Sequence, residues 1–155
     1  MDTSDNKNNY ETLKLAMKNK LEWRFNETKS SEDSLTYITS SFTLEDADPE
    51  EKIKELNLQV AYFDENPCIT YSCSINLDSF LIIKENNPKF VEKLEELNSL
   101  SNLGYGIYLE SKKNIVYRYN LWVGFGTHSM DEDYLSDISN TIVNNGFGFF
   151  NKLLG

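Results

Sequence analysis

One histidine, His128, is the residue of this chain best suited to proton transfer. It follows Gly124-Phe125-Gly126-Thr127 and precedes a helix start, a position from which an imidazole could serve as acid or base. No serine or cysteine stands in a recognisable triad context, and a single histidine cannot build a zinc site. His128 therefore reads as a solvated loop residue, and no catalytic residue is assigned. Asp131, Glu132, Asp133 and Asp137 cluster at the same helix start. Carboxylates favour the first helical turn because of the macrodipole, which accounts for them without a metal. Asp46, Asp48 and Glu50 imitate the opening of a calcium loop, but Glu51 stands where that loop needs glycine and Asn57 where it needs glutamate. No metal site is assigned. Gly104-Tyr105-Gly106, Gly124-Phe125-Gly126 and Gly146-Phe147-Gly148 lack the third glycine of a dinucleotide loop, and no Walker motif occurs. No cofactor is expected.

The elements that would position such residues follow from periodicity. Tyr10, Leu13, Met17 and Leu21 recur at helical spacing, so a first amphipathic helix is predicted over about residues 8–22. Residues 1–9 are polar and read as a flexible terminus, with a single domain over 10–155. Asn26 to Ser34 reads as a polar loop. Leu35 to Leu44 reads as a strand. Leu56, Leu58, Val60 and Tyr62 alternate, as do Ile69, Tyr71, Cys73 and Ile75; Asp64-Glu65-Asn66-Pro67 between them is turn chemistry, which predicts a hairpin. Asn87-Pro88 predicts the start of a helix over about 88–100. Residues 103–109 and 115–123 read as a second hairpin turning at Ser111 to Asn114. Ser129 and Glu132 form a capping box for a last helix, which is expected to continue through Gly146 with a weak point there. The order is α-β-β-β-α-β-β-α: an α+β fold with a twisted antiparallel sheet flanked by helices.

Composition excludes several classes of function. The net charge of −10 opposes binding to nucleic acid and to anionic membranes. The first residues lack the basic and apolar parts of a leader, and no stretch approaches the roughly 20 apolar residues of a spanning helix. The two cysteines, Cys68 and Cys73, lie on opposite faces of one strand and cannot pair within it. Cys73 reads as core and Cys68 as exposed. Two unpaired thiols suit a reducing compartment, and the expected location is cytoplasmic.

The segments Glu95-Glu96-Leu97-Asn98, Leu103 to Leu109 and Asn114 to Leu121, followed by the capped last helix, resemble the helix–strand–turn–strand segment of YbjN-like proteins. That family is similar in fold to type III secretion chaperones. The resemblance covers roughly residues 86–155 at the residue level and the first half only in element order. It implies a twisted antiparallel sheet with helices, frequent dimerisation, and binding of extended protein segments without ATP. It carries over no catalytic residue.

Aromatic residues make up 13% of the chain, more than a small core must contain. Tyr117, Trp122, Phe147, Phe150 and Leu154 are the expected partner-binding or dimer surface. The function expected is a non-enzymatic protein-binding module, chaperone-like or regulatory, whose partner is another protein or a second copy of the chain. The alternatives are a small-ligand-binding protein or enzyme with a site near His128, and an immunity-type protein that neutralises a toxin.

Overall fold

The computed structural model describes residues 4–30, 35–44, 52–63, 68–101, 103–122 and 130–155. Its elements are α1 (Ser4–Asn19), β1 (Asn26–Ser30), β2 (Leu35–Thr43), β3 (Glu55–Phe63), β4 (Cys68–Ser74), α2 (Leu77–Asn86), α3 (Phe90–Leu100), β5 (Tyr105–Leu109), β6 (Asn114–Trp122) and α4 (Glu132–Lys152). The strands form one antiparallel open sheet in the order β1-β2-β3-β4-β6-β5. The α+β class holds, and both predicted hairpins are present as neighbouring strands. Two elements exceed the predicted order: β1 replaces part of a predicted loop, and α2 fills a stretch that carried no prediction. His128, Ser129, the calcium-like segment 45–51 and the turn Asp64–Pro67 lie outside the described residues.

The chain divides into two compact units. The first comprises residues 1–40, 59–71 and 120–141. Its core takes Tyr10, Leu13, Ala16 and Met17 from α1, which confirms the amphipathic pattern. The helix begins at Ser4. Asn9 is buried, and its Oδ1 accepts the N–H of Met130 at 2.8 Å. Glu22, at φ 55°, adopts the left-handed conformation a few residues after α1, a cost of about 1–2 kcal/mol for a non-glycine residue. The Tyr10 and Tyr62 rings stack at 5.2 Å. Further in, Tyr71 Oη and Ser139 Oγ share a buried hydrogen bond of 2.8 Å, which satisfies two hydroxyls that would otherwise be costly to bury.

The second unit comprises residues 41–58, 72–119 and 142–155. Asn76 caps α2 by accepting the Ser79 N–H at 2.8 Å. Asn87, predicted to cap the following helix, instead closes α2: its backbone N–H donates to Ile83 O. Helix α3 then starts at Phe90 without a side-chain cap. Phe80, Phe90 and Tyr108 form an edge-to-face and stacked cluster with centroids 5.0–6.1 Å apart. In the β5–β6 hairpin Tyr105 pairs with Arg118 and Leu109 with Asn114. Lys113, in the left-handed conformation, closes the turn within the predicted Ser111–Asn114 segment.

Helix α4 runs unbroken through Gly146, as expected. At its start Asp131 Oδ1 accepts the Tyr134 N–H at 2.7 Å; the predicted cap, Ser129, lies outside the described residues. Cys73 is buried as predicted, but Cys68 is buried too, because both faces of β4 are covered at its start.

Candidate functional site

Of the five residues expected to form a partner surface, three are buried in the chain. Phe150 is 0% exposed, Tyr117 3% and Phe147 6%, so these three are core residues. The reason lies in α4 and β6: the apolar stripe of the helix and the inward face of the strand share the interior of the second unit. Tyr117 and Phe149 stand 5.1 Å apart, and Phe149 and Phe150 meet edge to face. Trp122 is 60% exposed and Leu154 is half-buried.

The sheet has two terminal strands, and they are treated differently. At β5, the Asn98 amide of α3 donates to Gly106 O at 2.9 Å and accepts the Gly106 N–H at 2.7 Å. An amide side chain thereby occupies the place of a neighbouring strand's peptide group and blunts that edge. At β1 the residues Asn26 to Lys29 are exposed. The Glu27 side chain points to α1, where Tyr10 Oη donates to it at 2.9 Å and Lys14 Nζ pairs with it at 2.9 Å. That side chain is only 24% exposed although the residue as a whole is exposed, so its open surface is main chain. Sequence reasoning missed this edge because Asn26-Glu27-Thr28-Lys29-Ser30 has no apolar alternation.

The electrostatics of the Glu27 cluster are those of a structural clamp. Partial burial pushes the Glu27 carboxyl up, but hydrogen bonds from Lys14 and Tyr10 and the charges of Lys14 and Lys29 outweigh it and leave the group below its ordinary range. Burial, followed by the Glu27 contact, pushes the Tyr10 hydroxyl well above its ordinary value. A tyrosine held neutral in this way is a hydrogen-bond donor rather than a nucleophile.

A cavity of about 340 Å³ opens in the second unit between the end of α3, β6 and the last turns of α4. Its apolar lining is Leu97, Leu100, Leu103, Tyr117 and Phe149; its polar lining includes Asn144, Asn145 and Lys152. The two aromatic rings lie against the start of β5 because that strand carries glycines: a Cβ on Gly104 would clash with Tyr117, and one on Gly106 with Phe149. Burial pushes the Tyr117 hydroxyl up, while hydrogen bonds with Ser101, Asn145 and Gly104 work in the other direction. The tyrosine is thus anchored rather than poised for chemistry.

Among the described residues no group of three or more His, Cys, Asp or Glu could hold a metal ion, and no helix is long and apolar enough to cross a membrane. Burial pushes both cysteine thiols up, Cys73 to about 12. Comparison of the chain with family models, with curated proteins and with solved structures found no match.

Proposed function

We propose that this chain is a non-enzymatic protein-binding module, chaperone-like or regulatory, of YbjN type, and that it takes an extended segment of another protein along β1. The exposed main chain of β1 carries this reading. A terminal strand with open N–H and C=O groups recruits a partner strand by backbone hydrogen bonds, without chemistry and without a nucleotide. The contrast with β5 supports it, since the fold has a device for closing an edge and applies it at Gly106. Further support is the likeness of Glu95–Asn98, Leu103–Leu109 and Asn114–Leu121 to YbjN-like proteins; these segments are the end of α3, β5 with its approach, and most of β6. The acidity of the chain suits a partner segment of basic character.

A two-fold dimer in the cytoplasm belongs to the same proposal, with Trp122 and Leu154 as the apolar residues left to contribute. The test is hydrogen exchange on the complex with a partner captured from source cells. The amides of residues 26–30 should slow on binding. Unchanged exchange there at full occupancy would rule out β1 as the recruiting edge. Sedimentation at micromolar concentration decides between dimer and monomer.

A further inference from the structure

Helix α4 contains a glycine that its own fold does not require. Gly148 sits inside the helix, where glycine costs about 1 kcal/mol relative to alanine. Nothing lies within 4 Å of where its Cβ would be. Its neighbour two residues earlier differs: a Cβ on Gly146 would meet Cys73 and Leu56, so packing explains that glycine. Gly148 instead lines the cavity beside Phe149. Gly148 is exposed and borders this cavity, so a side chain there would extend from its rim.

The cavity has the composition of a ligand site. Its volume of about 340 Å³ suits a compact small molecule, at the lower end of the roughly 300–1,000 Å³ typical of such sites. One wall is aromatic and leucine-rich. The rim formed by α4 carries Asn144 and Lys152, each about one turn from Gly148 on the same helix face. Among the described lining residues Lys152 is the one that is formally charged. It is exposed, and among the described residues it makes no ion pair. In a chain of net charge −10, a cation placed over an apolar floor selects an anion with an apolar body.

We propose that this cavity binds a small aromatic carboxylate, its ring over Phe149 and Tyr117 beside Gly148 and its carboxylate at Lys152 with Asn144. The site is separate from β1 and does not depend on the protein-binding reading.

The probes are 2-naphthoate, the neutral 2-naphthylmethanol and the cationic 2-naphthylmethylamine, each titrated into the full chain by calorimetry and by amide chemical shifts. Affinity should fall in that order, with shifts confined to residues 97–106, 117 and 144–152. Lys152→Gln should weaken naphthoate about tenfold, the scale of one charge-assisted hydrogen bond, and leave naphthylmethanol unchanged. Gly148→Leu fills the space and should abolish binding of both, while the better helix former keeps the melting temperature at or above that of the parent. Gly148→Ala gives a milder loss if the leucine disturbs the fold. Absence of saturable naphthoate binding overturns the proposal. So does equal weakening of all three probes by Lys152→Gln, or unchanged binding in the folded Gly148→Leu chain.

Discussion

A Cβ placed on Gly146 would lie 3.2 Å from the Sγ of Cys73, so helix α4 reaches β4 at a point where only a hydrogen atom fits comfortably. Helix α4 continues past this point to Lys152. Gly146→Leu should therefore destabilise the chain by about 1–3 kcal/mol, the cost of overpacking a filled core. Gly148→Ala should stabilise it by about 0.5–1 kcal/mol, because that position is open. Urea titration of the two variants checks both signs.

Asn98→Ala removes the amide that covers Gly106. The lost pair of hydrogen bonds should cost about 1–2 kcal/mol, and the uncovered β5 edge should promote concentration-dependent association. Asn98→Ala that remains as stable and as monodisperse as its parent, by melting and light scattering, would contradict the role assigned to the amide.

Glu27 makes stability depend on pH. Its carboxyl is held below the ordinary range in the folded chain. A depressed carboxyl pKa contributes stability above the unfolded value, about 4.3, and loses it as pH falls through the folded pKa. Glu27→Gln keeps an acceptor for Tyr10 but loses the Lys14 pairing, which should cost about 1 kcal/mol at pH 7. The gap between parent and variant should close as pH drops below about 4. Thermal melts at pH 7, 5 and 3 measure it; a gap that is constant across the series would show that the pairing does not contribute.

Both thiols should resist alkylation in the native chain. Cys73 is fully buried, and burial pushes its thiol up to about 12, so the thiol rather than the reactive thiolate is present at pH 8. Cys68 is buried at the start of β4. Iodoacetamide at pH 8 should modify neither until denaturant is added, as read by intact mass. Fast native labelling of Cys73 would mean that β4 opens readily.

Much of the architecture was legible in the sequence because it rests on local period. Ile69, Tyr71, Cys73 and Ile75 alternate, and all four are core. The register from Tyr105–Arg118 to Leu109–Asn114 follows from the apolar rhythm on both sides of a short turn. Helix α1 announced its buried face through Tyr10, Leu13 and Met17. Strand β1 was hidden because its pairing with β2, Thr28 opposite Tyr37, needs no apolar face of its own. Helix α2 was hidden because it buries Ser79 with Phe80 and Ile83 while leaving Leu77 and Leu81 exposed, which blurs its stripe.

Other features depend on residues far apart in the chain, and no local pattern encodes them. An excess of aromatic side chains is visible in composition, but composition does not say that Phe147 and Phe150 are inside while Trp122 is outside. Asn151 holds both the N–H and the carbonyl of Ile53 at 3.0 Å across 98 residues of sequence. Read along the chain, Asn151 is one polar residue among the apolar ones at the end of a helix. Its role appears only when folding brings it to a backbone whose hydrogen bonds have nowhere else to go, since a buried N–H or C=O must be paired by whatever the tertiary structure places beside it.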